Sequence, residues 1–180
     1  MGKEEKQNLR DFSKIWRATT YAFIKHGSLK RKSNNIPYIV HPIRVAMILR
    51  AAGYSDFKNE NLMLAALLHD LLEDTDLTYD ELKQQFGEQV ALIVKELSKP
   101  PDLNKKEWLE SFGAASKDAK LIKLADRIDN LLDMKTPDWP EEKRRDYSTQ
   151  SLIILEKCGN VNYKLASKLK DEIEQALSSL

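Results

Sequence analysis

The chain has 180 residues and a formal net charge of +1, from 29 Lys and Arg against 28 Asp and Glu. Apolar residues make up 42% and charged residues 32%, with 6 Gly and 6 Pro, which excludes collagen-like, low-complexity and disordered chains. Balanced charge gives no general pull toward nucleic acid or an anionic membrane, and the single Cys158 excludes an internal disulfide and a thiolate metal site.

This length predicts one domain over residues 1–180. A globule of this size buries roughly 70% of the surface its unfolded chain exposes. The first residues lack the apolar run of a signal peptide, and no apolar stretch approaches the ~20 residues of a membrane span. A cytoplasmic protein is expected.

Helical periodicity dominates. Leu9, Phe12, Ile15, Trp16, Thr19, Ala22 and Phe23 predict an amphipathic helix over 5–25, with those residues on its packed side. The basic stretch from His26 to Tyr38 reads as a loop. His41-Pro42 opens a second helix, with Pro42 at the first helical position and a stop at Gly53. Residues 59–73 carry Leu62, Leu64, Ala65, Ala66, Leu67 and Leu68 and predict a central buried helix. Thr78 to Glu81 has the capping-box pattern of a short helix ending near Gly87.

Val90, Ile93, Val94 and Leu97 predict a helix over 88–98, ended by Pro100-Pro101. Residues 102–116 read as a polar connection anchored by Trp108, Leu109 and Phe112. Helices are expected over 117–134, 140–158 and 160–178. The three tryptophans, Trp16, Trp108 and Trp139, are expected to pack in the core or brace loops. No sustained period-two stretch exceeds Pro37–Val40, so the expected fold is all-α, a single compact domain of about eight helices.

Only 3 histidines are present, His26, His41 and His69, so any imidazole metal site must draw on them. The run His69-Asp70-Leu71-Leu72-Glu73-Asp74 places polar groups at the end of an apolar helix. Buried carboxylates are costly without a cation or hydrogen bonds. On a continuous helix, His69 and Glu73 stack, as do Asp70 and Asp74. A solvated helix end or a hydrogen-bonded core histidine would account for the same pattern. A second apolar helix carries Asp126 at the edge of a face made by Leu121, Leu124, Ile128 and Leu131, with Asn130 one turn on. A surface pair of Asp126 with Lys123 or Arg127 is the alternative reading there.

Three segments in this order resemble the HD-domain metal-dependent phosphohydrolases, and more narrowly the hydrolase domain of the RelA/SpoT-type (p)ppGpp enzymes. They are Pro37 to Ala46, Ala65 to Thr75 with His-Asp-x-x-Glu-Asp intact, and Lys123 to Leu131. The resemblance covers about residues 8–135, with the later helices completing the domain. It implies metal ligands at His41, His69, Asp70 and Asp126, a catalytic carboxylate pair at Glu73 and Asp74, and substrate contacts from Arg31, Lys32 and Asn130. His26 matches a non-ligand histidine and is expected to position the loop.

The resemblance implies one ion, Mn²⁺, with Fe²⁺, Co²⁺ and Zn²⁺ as alternatives. The implied reaction is removal of the 3′-diphosphate of ppGpp or pppGpp as pyrophosphate, leaving GDP or GTP. The implied partner is this small nucleotide, with neither nucleic acid nor membrane; self-association stays open. The chain departs from the family pattern at Asn34-Asn35-Ile36 and at Leu132, where the family commonly has Arg. A phosphatase for another nucleotide, such as NADPH or a nucleoside monophosphate, and a non-catalytic nucleotide-binding protein are the alternatives. The 45 residues after position 135 leave no room for a synthetase domain within this chain.

Overall fold

The computed structural model describes residues 3–31, 35–135 and 139–178, with side chains from residue 12 onward. The helices are α1 (Lys3–His26), α2 (Val40–Ala51), α3 (Glu60–Leu68), α4 (Leu71–Asp74), α5 (Tyr79–Phe86), α6 (Glu88–Leu97), α7 (Lys105–Ser111), α8 (Lys117–Asp133), α9 (Glu141–Cys158) and α10 (Tyr163–Ser178). A 3₁₀ turn, Gly159–Val161, joins the last two. The only extended pairing among the described residues is the isolated bridge between Lys30 and Pro37. The all-α expectation holds, and no described helix is long and apolar enough to cross a membrane.

α3 is the centre. Leu62 to Leu68 are all buried, because α1, α2, α6 and α8 pack around it and leave no solvent face. α8 is the second axis, packed against α2, α6, α9 and α10. The two helices bring the polar residues at their edges to a shared interior.

Four sequence expectations need correction. First, the central helix is not continuous through residue 73. It ends at Leu68, turns at His69 and Asp70, and resumes as α4. The His69 ring nitrogen Nδ1 lies 2.9 Å from the carbonyl of Ala66. That carbonyl is the one Asp70 N–H would take in a continuing helix, so the side chain competes with the backbone at the break.

Second, α1 buries Ile15, Ala18 and Ala22 and leaves Phe12, Trp16 and Phe23 47%, 67% and 57% exposed. The face with two alanines turns inward because small side chains let α1 approach α3 closely. Trp16 is therefore not a core residue, whereas Trp108 is.

Third, the connection over 102–116 contains α7, started by a capping box between Asn104 and Glu107. Its anchors Trp108, Leu109 and Phe112 are buried as expected. Fourth, α4 and α7 raise the count of α-helices among the described residues to ten.

The remaining boundaries follow the sequence closely. The Thr78–Glu81 capping box starts α5. Gly87 at φ +89° lets the chain turn directly from α5 into α6, a conformation an L side chain rarely adopts. α2 starts at Val40, so Pro42 is its third residue rather than its first; it still lies in the first turn, where its missing N–H leaves no bond unmade. That turn is set by Val40 N–H to the Pro37 carbonyl and His41 N–H to the Tyr38 carbonyl, at 3.2 and 2.9 Å. The same turn fixes where the His41 ring enters the interior.

Candidate metal and active site

Four of the sequence-derived residues converge. His41 comes from the first turn of α2, His69 and Asp70 from the break after α3, and Asp126 from the middle of α8. Ligand atoms of His41, His69 and Asp126 all lie within 4.8 Å of one another. His41 Nε2 is 3.2 Å from Asp126 Oδ1 and 3.5 Å from Asp70 Oδ2. His69 Nε2 is 3.1 Å from the same Asp70 oxygen but lacks hydrogen-bond geometry toward it.

The outer edges of both rings are occupied. His69 Nδ1 meets the Ala66 carbonyl, and His41 Nδ1 lies 2.7 Å from Asp129 Oδ2. With protons on the two Nδ1 atoms, both rings turn an acceptor Nε2 toward the centre. His69 Nε2 is a buried polar atom with no hydrogen-bond partner. Such an orphan in an otherwise satisfied polar cluster fits an absent electrophile.

The electrostatics agree. Burial alone lowers a histidine pKa, yet His41 is pushed up to about 9, because hydrogen bonds to Asp126 and Asp129 and the Asp70 charge outweigh burial. Asp70 and Asp126 are held below the usual carboxylate range against the opposing effect of burial. The histidine charges lower Asp70; Lys123, with Nζ 2.9 Å from Asp126 Oδ2, and then His41 lower Asp126. A centre that favours a proton on a buried imidazole also favours a cation. Two imidazole nitrogens and two carboxylate oxygens are a donor set for a borderline divalent ion.

Lys123 and Asp126 do pair, as one reading of the sequence had it, but the pair is buried rather than on the surface. Their side chains are 9% and 7% exposed. The Lys123 ammonium also lies 4.4 Å from the Trp108 ring centroid.

Glu73 and Asp74 stand beside the cluster on α4, on the solvent side. Glu73 Oε2 accepts from the Lys99 backbone N–H at 3.2 Å. The Asp74 carboxyl is pushed up to about 6 by partial burial and by the charge of Asp70. Tyr38 borders both Asp70 and Asp74. Its hydroxyl donates to Asp70 Oδ2 at 2.7 Å, and burial with the surrounding carboxylates raises its pKa far above the ordinary value.

A cleft of about 230 Å³ opens next to these groups. Lys30, Arg31, Tyr38, Asp74, Asn130, Asp133 and Trp139 line it. The expected substrate residues fare differently there. Arg31 lines the cleft, but its side chain is only 8% exposed and is tied to α8. It donates to Asp133 Oδ2 at 3.1 Å, Asn130 Oδ1 at 2.9 Å and Asp129 Oδ2 at 3.5 Å. Asn130 faces the cleft and donates to Asp126 Oδ1 at 2.5 Å. Lys32 lies outside the described residues. His26 is buried with its ring 4.8 Å from that of Tyr38, and neither of its nitrogens has a hydrogen-bond partner.

The sequence analysis does not single out Tyr38, Asp129 or Asp133. Tyr38 stands inside a matching segment, and only its side-chain partner reveals a role. Asp129 and Asp133 are one and two helical turns beyond Asp126, and that spacing was the available signal.

Among known proteins, the HD domain family matches residues 18–160. The guanosine-3′,5′-bis(diphosphate) 3′-pyrophosphohydrolase MESH1 of Drosophila melanogaster is 36% identical, over 89% of this chain and 93% of its own length. A guanosine-3′,5′-bis(diphosphate) 3′-pyrophosphohydrolase of Aquifex aeolicus is 40% identical over 78% of this chain, a match that takes up 20% of that longer protein. A solved structure, described as a metazoan ortholog of SpoT that hydrolyzes ppGpp, superposes with a TM-score of 0.81 at 33% identity. It covers 90% of this chain, which covers 94% of it.

Proposed function

The chain belongs to the HD-domain family, and on that premise we propose that it is a metal-dependent hydrolase removing the 3′-diphosphate of (p)ppGpp. Water and substrate become pyrophosphate and GDP or GTP. The observation that carries this reading is the convergence of His41, His69, Asp70 and Asp126 at the edge of a cleft with cationic and aromatic walls. The relatives named for this reaction, one of them matched along nearly its whole length, support the substrate.

His41, His69, Asp70 and Asp126 hold the ion, which we assign as Mn²⁺. When bound, a divalent ion supplies Lewis-acid polarisation of the phosphoryl group. The chain's own residues do the rest. Tyr38 orients Asp70 through its hydroxyl, and Asn130 orients Asp126. Asp74, its carboxyl pushed up to about 6, accepts and returns a proton at its carboxylate, with Glu73 as its partner in orienting water. Lys30, and Arg31 and Asn130 at the cleft wall, face the substrate's phosphates, while Tyr38 and Trp139 offer flat apolar surfaces to a purine.

The test is turnover by the purified chain with Mn²⁺, offering ppGpp, NADPH and nucleoside monophosphates in parallel. Release of pyrophosphate and GDP from ppGpp is expected. Preference for another of these nucleotides would move the substrate assignment, and ppGpp binding without turnover would make the protein a non-catalytic binder.

A further inference from the structure

One buried carboxylate close to the cluster is not among the four expected ligands. Asp129 is 3% exposed. It lies one turn beyond Asp126 on α8, and its Oδ2 approaches His41 on the Nδ1 edge, opposite the Nε2 that faces Asp126 and Asp70. One helix thus grips the His41 ring from both edges.

Two roles compete for Asp129. It could be a counter-ion for Arg31, or a support for His41. The distances decide. Asp129 Oδ2 is 2.7 Å from His41 Nδ1 and 3.5 Å from Arg31 Nη2. The guanidinium makes its shorter bonds to Asn130 and Asp133, at 2.9 and 3.1 Å. Arg31 therefore braces the back of the arrangement, and the strong hydrogen bond of Asp129 goes to the imidazole.

We infer that Asp129 is a positioning residue for His41, holding its Nδ1 proton so that Nε2 points to the ion as a strengthened donor. This rests on the ligand assignment proposed above. The two histidines are then tuned differently: His69 leans on a neutral carbonyl, His41 on a carboxylate. A carboxylate behind a ligating imidazole fixes its tautomer and orientation and raises its basicity. Arg31 supports both α8 contributions, directly at Asp129 and through Asn130 at Asp126.

The experiment measures Mn²⁺ affinity of the metal-stripped full chain by calorimetry and by loss of the free Mn²⁺ spin-resonance signal. The proteins are wild type, Asp129→Asn, Asp129→Leu and His41→Ala, each checked for helix content without metal. Asp129→Asn keeps an acceptor at Nδ1 and loses the charge; Asp129→Leu loses both. The expected result is a graded rise in Kd, about tenfold for Asn and about a hundredfold for Leu, the span typical of such supports. A purely structural role would shift unfolding temperature and leave that gradient flat. Wild-type Kd in both Asp129 variants, with His41→Ala defective, overturns this inference alone. Wild-type Kd in His41→Ala overturns the ligand assignment and this inference with it.

Discussion

Arg31 Nε donates to Oδ2 of Asp133, 3.1 Å away and 102 positions along the chain. The bond ties the loop before α2 to the end of α8. Arg31 also reaches Asp129 and Asn130, so one guanidinium meets three residues on two adjacent turns of one helix. Removing it leaves Asp129 with one cationic partner fewer inside the protein.

Arg31→Ala is therefore expected to destabilise the fold as well as the cleft. Breaking a buried ion pair by deleting one partner costs about 3–5 kcal/mol, which for a chain of this size lowers Tm by roughly 10 °C. Thermal denaturation followed by circular dichroism checks this. An unchanged Tm would mean that the remaining partners of the network, among them Arg44 with Nη1 3.4 Å from Asp133 Oδ1, hold it without Arg31.

Lys30 provides the contrast. It is an exposed cation of the same cleft, so Lys30→Ala should leave Tm and metal content alone. Charge-assisted contacts are worth about 1.5–3 kcal/mol, so KM for ppGpp should rise about tenfold or more at low salt. The effect should shrink as salt is added. A KM that does not respond would place the phosphates elsewhere in the cleft.

His69→Ala and Asp126→Ala should each remove most bound metal while the helices stay formed. Both side chains enter the cluster from the ends or edges of helices whose apolar faces are intact without them. Elemental analysis after dialysis, with circular dichroism as the control, is the measurement. Full occupancy in Asp126→Ala would remove that residue from the ligand set.

Glu73→Gln and Asp74→Asn should separate chemistry from metal binding. Both carboxylates lie outside the converging four, so metal content should hold. Loss of acid–base catalysis typically lowers kcat by about 10²–10⁴-fold. Wild-type turnover in both variants would defeat the proton-transfer assignment.

Cys158 supplies a stability reporter. Its thiol is buried at the end of α9, and burial pushes its pKa up to about 12. At neutral pH it should resist alkylation in the folded protein and react once denaturant opens the helices around it. Mass spectrometry after an iodoacetamide pulse across a urea series should give a labelling midpoint that matches the unfolding midpoint. Rapid labelling of the native protein would contradict the packing of α8 to α10.

The sequence by itself determined the helical class and most helix boundaries, and its resemblance to the HD-domain hydrolases pointed to the four residues that meet in the cluster. The helical features rest on local physics: the 3.6-residue period, caps at Thr78 and Gly87, and Pro in a first turn. Tertiary structure decided which apolar face of α1 turns inward, because Ala18 and Ala22 allow a close approach that Trp16 would block. It also decided that the central helix breaks at His69, where a ring nitrogen claims the carbonyl the backbone needed. Tertiary structure also decided which partners support the cluster. Tyr38 on Asp70, Asp129 on His41 and Arg31 on Asp133 span 32, 88 and 102 positions. Periodicity reports only which face of a helix is apolar; the partner of a buried charge depends on which other helix arrives opposite it.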